Sequence, residues 1–437
     1  MKVHYAIKSD GKNTRFEMTG EPDDADYFYV SNRKGKIGLN SAYFELPFCA
    51  NENKIHPDLI AIVALLCFRP FTSKQIYMQG GVSKKFSDCV LDNMKITIGP
   101  VDYNIIPRIF PENGFEGVAF SGGSDSVAAL YLSPLKSKAF FLNRSSDNFI
   151  TKSLYKNDAA IYSCDKVSQS GVDVIKVNSS LEFLREPVGF PVDWSNAAPA
   201  LLCADYYSLR SVAFGLVLES AYFLGHSHYS DLRKRAIYSN WAPIFSTVST
   251  PMSLPTAGLS EVMTSKIATK IVPNWSAQSC VRGEVGKPCM NCFKCFRKHL
   301  LDFEISGLDV NDDHFDIPKK SKEVARRLLE CPIHHENVLA YSMRNIKSNH
   351  SVALALKDKT NKILEKFNNL DVLLYFYSPA DSLIPLHIRD VVVERINSVT
   401  RSMTVCEIDI VKSWDIDFLL SDSNYLTSNN KLRTLLE

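Results

Sequence analysis

The feature that most constrains this chain is the junction Gly117-Val118-Ala119-Phe120-Ser121-Gly122-Gly123-Ser124-Asp125-Ser126, followed by the Ala- and Leu-rich run Val127 to Leu132. Gly117 to Phe120 reads as a short apolar strand. Two glycines stand where the chain must turn sharply, and glycine accepts positive φ at little cost. Ser124 and Asp125 then open a helix, as capping residues do. This order places a loop of backbone N–H groups and hydroxyls at a helix N-terminus. Unpaired amides and the positive end of the helix dipole converge there, so the loop is suited to an anion. A plain strand–turn–helix with a capping serine is the competing reading, but it does not require five defined positions to agree in order. No Gly-Lys-Ser/Thr follows, so the loop is not of the Walker A kind.

The pattern around the junction sets the fold class. With 437 residues, two or three domains are expected. Pro107, Pro111 and Gly114 punctuate the chain and mark a boundary. Before it, strand-like runs at 3–7, 15–18, 27–30, 42–46, 74–78 and 94–98, with a helix over 56–68, predict a strand-rich α+β accessory domain, 1–113. After it, strands over 117–120, 138–142, 172–177 and 216–224 alternate with helices over 126–132, 199–213 and 259–269. That alternation predicts an α/β core, 114–307, with a Rossmann-like parallel sheet covered on both faces. Beyond Gly307 the spacing of apolar residues predicts a mainly helical region, 308–437, with helices over 321–329, 352–367 and 388–399 and a late strand over 404–411.

Eleven cysteines are present, and four of them cluster as Cys280-x8-Cys289-x2-Cys292-x2-Cys295. Four thiolates at Cys-x2-Cys spacing satisfy a tetrahedral structural zinc ion. An iron–sulfur cluster is the chemical rival. Four unligated buried thiols fit poorly, because Arg282, Glu284, Lys287, Asn291, Lys294, Arg297 and Lys298 surround them. The scattered cysteines read as reduced, buried small side chains.

The run Ser-Gly-Gly-x-Asp-Ser at Ser121 to Ser126 resembles the PP-loop ATP-pyrophosphatases. Combined with the cysteine quartet, it resembles the QueC family, the 7-cyano-7-deazaguanine synthases, over about 115–301. Thr250-Pro251-Met252 and the helix around Glu261 look like the segment that precedes the cysteines in that family. The resemblance implies that Ser121, Gly122, Gly123, Ser124, Asp125 and Ser126 hold the phosphates of ATP with Mg²⁺ as bridging cation. Ser121, Asp125 and Ser126 are the implied catalytic residues. Phe141 to Arg144, Asn143 among them, would lie near the adenine, and Cys280, Cys289, Cys292 and Cys295 would hold Zn²⁺. It further implies adenylation of a carboxylate, 7-carboxy-7-deazaguanine or a similar deazapurine, followed by attack of ammonia to give amide and nitrile. In QueC-like proteins of bacterial antiphage systems a protein amine is the acceptor instead. The chain departs from the family at Pro255-Thr256-Ala257-Gly258, where a lysine is usual, and in its flanking regions.

Other observations limit the alternatives. The formal net charge of +2 argues against wholesale nucleic-acid binding, and no aromatic RNA-binding signature is seen. A tRNA-thiolating PP-loop enzyme would need a basic face and a catalytic cysteine. A zinc-stabilised binding module with an idle loop is the non-enzymatic alternative. No apolar run reaches the ~18 residues of a membrane span, and the start lacks the apolar stretch of a signal peptide, so a cytoplasmic location is expected. His226 and His228 read as exposed or hydrogen-bonded side chains, with the active-site mouth as the rival position. His334-His335 reads as surface. Arg282, Lys287 and Arg297 divide evenly between phosphate contact and solvated charge.

Overall fold

The computed structural model describes residues 1–9, 14–21, 27–30, 33–49, 55–145 and 156–437. Its strands are β1 (Lys2–Ser9), β2 (Thr14–Glu21), β3 (Tyr27–Val30), β4 (Arg33–Ile37), β5 (Ser41–Leu46), β6 (Gln75–Val82), β7 (Thr97–Val101), β8 (Phe115–Phe120), β9 (Lys138–Arg144), β10 (Val174–Ser179), β11 (Arg185–Glu186), β12 (Leu209–Phe214) and β13 (Met252–Ser253). Ten of them form one sheet in the order β13-β12-β8-β9-β10-β5-β2-β1-β6-β7, and β11-β4-β3 form a small second sheet. Pairing is parallel from β13 through β10, antiparallel from β10 through β5 and β2 to β1, and parallel again to β6 and β7. The fold is therefore mixed α/β with a mostly parallel sheet.

The sequence explains the two characters of this sheet. Strand β8 is buried from Glu116 to Phe120, and apolar there but for Glu116, because both of its faces are covered. Val118 and Phe120 pack with Val127, Ala129, Phe141 and Ala213 on one face, while Ala119 packs with Phe140, Val212 and Phe214 on the other. Strand β2 instead alternates buried and half-buried residues from Thr14 to Gly20, as a strand with one covered face does. The helix Pro57–Phe68 is buried from Asp58 onward. The carboxylate of Asp58 in its first turn accepts hydrogen bonds from the amide and hydroxyl of Ser83, at 2.8 and 2.6 Å, so this buried polar group is satisfied.

Several sequence expectations are corrected. The run 199–213 is not one helix: a short helix, Ala198–Leu202, ends there, and Leu209–Phe214 is strand β12. The strand expected over 216–224 lies beyond β12, which ends at Phe214, and holds the short helix Leu218–Ala221 instead. Alanine and leucine suit a helix, but an apolar run beside β8 is worth more as a parallel neighbour, so tertiary pairing overrides propensity. The late strand over 404–411 is a helix, Val405–Lys412. Thr404 accepts from the Glu407 amide, and Glu407 accepts from the Thr404 amide, a capping box that outweighs the β-branched content.

The helical region does not stand apart from the loop. The helix Leu386–Val399 packs Val392 and Ile396 against Ala128 and Leu132 of the helix that follows the glycines. Arg395 Nε donates to the Tyr131 carbonyl at 2.9 Å. Among the described residues, no helix is long and apolar enough to cross a membrane.

Candidate anion loop and metal centre

The chain runs outward from β8 to β9 and β10, then returns to the other side of β8 for β12 and β13. The carboxyl end of β8 is thus a topological switch point, where open α/β sheets leave a crevice for ligands. Ser121 to Gly123 turn at that end, and the loop helix Ser124–Leu132 begins there. Gly122 has φ +76°, and a Cβ on it would stand 3.2 Å from Ala160 Cα. Gly215, just past β12, approaches closer still: a Cβ would lie 2.6 Å from the Asp125 carbonyl carbon.

Hydroxyls hold the loop from inside. Ser126 Oγ accepts from the Ser121 amide and the Ser121 hydroxyl, both at 3.1 Å, and donates to the Gly123 carbonyl at 3.0 Å. Asp125 Oδ1 accepts from Thr264 Oγ1 at 2.7 Å. The Ser124 amide donates to Ser279 Oγ at 3.3 Å. Among the described residues the amides of Gly122 and Gly123 have no protein acceptor. Two unpaired donors beside a helix N-terminus are free to meet an anion.

The loop is tied directly to the cysteine segment. Gln278 N donates to the Gly122 carbonyl at 2.6 Å, and the hydroxyls of Ser124 and Ser279 are 3.0 Å apart. One residue on, the Sγ atoms of Cys280, Cys289 and Cys295 lie within 4.8 Å of one another. Cys289 Sγ is 3.6 Å from Cys292 Sγ and 3.7 Å from Cys295 Sγ. Four sulfurs at ~2.3 Å from one tetrahedral ion would be about 3.8 Å apart, so the spacing suits a single metal ion. Amides of Cys289 and Cys295 donate to Cys280 Sγ and Cys292 Sγ, at 3.3 and 3.4 Å. Cys292 is the N-cap of the helix Phe293–Ser306. Its thiol is pulled down to about 5, first by the hydrogen bond with Cys295. This cluster can hold a metal ion such as zinc.

A cavity of about 470 Å³ opens beside the loop and the cysteines, lined by Ser124, Ser279, Cys280, Cys295, Lys298 and His299 among others. Under it lies a buried charge cluster. Glu261 binds Arg297 and, at 3.0 Å, Lys298. Burial alone would raise the Glu261 carboxyl, but Arg297, Lys298 and His335 outweigh it and hold it well below the usual carboxylate range. Glu219 Oε2 accepts from the Glu261 amide at 2.9 Å. Burial, reinforced by the Glu261 charge, pushes Glu219 up to about 7.

The other candidate positions sort as follows. Asn143 lies within β9, not after it, and donates to Asn178 at 2.6 Å; Asn178 in turn donates to Glu45 at 2.6 Å. Asn143 Oδ1 is buried and unpartnered. Arg297 is paired inside the protein rather than facing a ligand, and Arg282 pairs with Glu323 at 3.2 Å. Lys287 is exposed. His226 rests on Phe223 with ring centroids 4.3 Å apart, and His228 meets Ser227 Oγ at 3.1 Å. His334-His335 is not surface: the His335 amide donates to the Gly225 carbonyl at 2.9 Å, and its ring is 4.0 Å from Glu261. The pair sits where the helical region docks on the core, which local sequence does not disclose.

Sequence reasoning missed Gly215, Thr264, Ser279, Lys298 and His299 as neighbours of the loop. Only Ser279 carried a signal, being adjacent to Cys280. Lys298 and His299 follow Cys295 on the same helix, while Gly215 and Thr264 arrive from distant segments through the fold. Among comparisons with known proteins, the profile of a family of unknown function (DUF6395) matches residues 240–415. No curated protein and no solved structure matches the chain. The matched stretch takes in Glu261, the four cysteines and the first helices of the C-terminal region, and that family's description assigns no activity.

Proposed function

We propose that this chain is an ATP-dependent, AMP-forming enzyme of the PP-loop, QueC-like kind. It activates the carboxylate of a deazapurine such as 7-carboxy-7-deazaguanine as an acyl adenylate. It then passes the acyl group to an amine, either ammonia or a protein amine as in antiphage systems. The observation that carries this reading is the pair of Gly122 and Gly123 amides, without an acceptor among the described residues, at a helix N-terminus on the switch point, next to a cavity large enough for a small substrate. Fixed donors there would stabilise the charge that builds on departing pyrophosphate without reorganising. Asp125, in the first turn of the loop helix, would hold Mg²⁺, which would neutralise phosphate charge when bound.

In this reading the cysteines hold one structural Zn²⁺. Thiolates on separate irons of a four-iron cluster stand farther apart than the 3.6 and 3.7 Å found here. The ion would fix the segment 278–280, whose Gln278 and Ser279 shape the loop. Thiolation chemistry is less well supported. Cys164, close behind the loop, is buried with its thiol pushed up to about 12, and Cys203 is raised by burial too.

The test is isotope exchange between labelled pyrophosphate and ATP, with and without 7-carboxy-7-deazaguanine. Exchange that depends on the carboxylate is the expected result. Its absence across a panel of deazapurine and purine carboxylates would remove the adenylation reading and leave a binding module.

A further inference from the structure

His299 lies on the helix Phe293–Ser306 and lines the cavity beside the loop. Its Nδ1 is 3.1 Å from Nδ1 of His314. His314 is buried, stacks on Phe296 with centroids 4.7 Å apart, and has its Nε2 3.1 Å from the Phe296 carbonyl oxygen. A carbonyl oxygen only accepts, so Nε2 of His314 carries a hydrogen. Burial holds His314 down to about 4, so at neutral pH that hydrogen is its only ring proton. Its Nδ1 is therefore a bare acceptor, and the hydrogen between the two Nδ1 atoms belongs to His299. Burial lowers His299 as well, which favours the neutral ring. A neutral ring with its proton on Nδ1 keeps its lone pair on Nε2. Among the described residues no hydrogen bond to that Nε2 is made, and His299 lines the cavity.

We propose that His299 is the general base of this site, its Nε2 lone pair fixed by the chain from His299 Nδ1 through His314 to the Phe296 carbonyl. The assignment rests on the adenylation reading above. In the second half-reaction the nitrogen of a primary amine or ammonia forms a bond to the acyl carbon. The acyl–oxygen bond to phosphate breaks, and AMP leaves with that electron pair. The proton shed by the attacking nitrogen passes to Nε2 of His299, giving imidazolium. Four of the other titratable groups on the cavity wall are less suited. Lys298 is bound as a cation to Glu261 at 3.0 Å, and Glu284 pairs with Lys156 at 3.1 Å. Cys280 and Cys295 belong to the metal set. Lys294 and Asp302 remain on the wall, and Asp302 supplies the control.

The experiment compares full-length wild type with His299→Ala, His299→Asn and Asp302→Asn. It uses 7-carboxy-7-deazaguanine with either ammonium chloride or hydroxylamine, a strong nucleophile that needs little help from a base. In the His299 variants amide formation from ammonia is expected to fall by roughly 10²-fold or more. Pyrophosphate exchange and hydroxamate formation should fall far less. Added imidazole should restore part of the loss in His299→Ala, which a purely structural role would not allow. The ¹⁵N spectrum of the wild-type imidazoles, read without any variant, should show His299 protonated on Nδ1 and His314 on Nε2. Unchanged amide formation in the variants, a loss that imidazole leaves untouched, an equal loss in Asp302→Asn, or a His299 proton on Nε2 would overturn the base assignment alone. A wild-type protein without carboxylate-dependent exchange would overturn the adenylation reading and this assignment with it.

Discussion

Asp125 shows how a single side chain can be both structural and chemical. One carboxylate oxygen accepts from Thr264, no hydrogen bond to the other is made among the described residues, and the group belongs to the first turn of the loop helix. Replacing it with alanine removes one hydrogen bond, worth about 1 kcal/mol. The same change removes the only acidic side chain in that turn. Asp125→Ala is therefore expected to lower pyrophosphate exchange by at least ~10²-fold while thermal unfolding shifts by only a few degrees. Measuring both on one preparation decides the point, since retained exchange would place the chemistry elsewhere. The loop itself was legible in the sequence because its requirements are local: two glycines, serine hydroxyls and a short apolar run, although the helix is capped by Gly123 with no side-chain hydrogen bond rather than by Ser124 or Asp125. Gly215 was not legible. Its role, letting the end of β12 approach the Asp125 backbone, exists only once β12 pairs with β8.

At the scale of elements, one helix gathers most of what the site needs. Phe293–Ser306 begins on Cys292, presents Cys295 to the metal cluster, buries Arg297 and Lys298 on Glu261, and places His299 on the cavity. Cysteine spacing disclosed its start, and the rest of its surface was hidden because Arg, Lys and His also suit a solvated helix face. The helix Lys84–Met94, capped by Ser83 with Phe86, Val90 and Met94 buried, is a plainer case: periodic apolar residues in a polar sequence stay inconspicuous until a sheet covers them. Strands β1 to β7 were largely readable as strands, yet not as an extension of the parallel sheet, because the β10–β5 pairing joins residues more than 130 positions apart. If the metal anchors the start of the cysteine helix, Cys295→Ser should lower bound zinc below one equivalent by elemental analysis. It should also destabilise 278–299, since such sites contribute on the order of 10 kcal/mol to local folding. Hydrogen exchange over that segment should accelerate, and the amides of β1 and β2 should remain protected.

For the whole molecule, buried charge makes stability depend on pH in opposite ways at different places. Glu219 and Glu336 are raised to about 7, by burial first in each case. The stability each contributes is fully present below the unfolded value near 4.5 and is lost as pH rises toward 7. His334 and His314 are lowered to about 4 by burial, so their contribution is present above about 6.5 and is lost as pH falls. Between about 4.5 and 6.5 the two sets oppose each other and flatten the profile. Glu219 offers a way to separate them. Its Oε1 accepts from Asn337 Nδ2 at 3.1 Å, while Asn337 Oδ1 is buried and unpartnered. Turning that amide presents Oδ1 to a donor, which a protonated carboxyl or a glutamine supplies and a carboxylate does not. Glu219→Gln mimics the protonated form while keeping an acceptor for the Glu261 amide. The variant should match wild type near pH 4.5. It should then gain on wild type as pH rises to about 7, at up to ~1.4 kcal/mol per pH unit, and hold that lead above it. Denaturant midpoints at several pH values between 4.5 and 8 measure this directly. A constant difference between the two proteins would mean that Glu219 is already ionised throughout, and that the pocket shared with Glu261, Arg297 and Asn337 accommodates two negative charges.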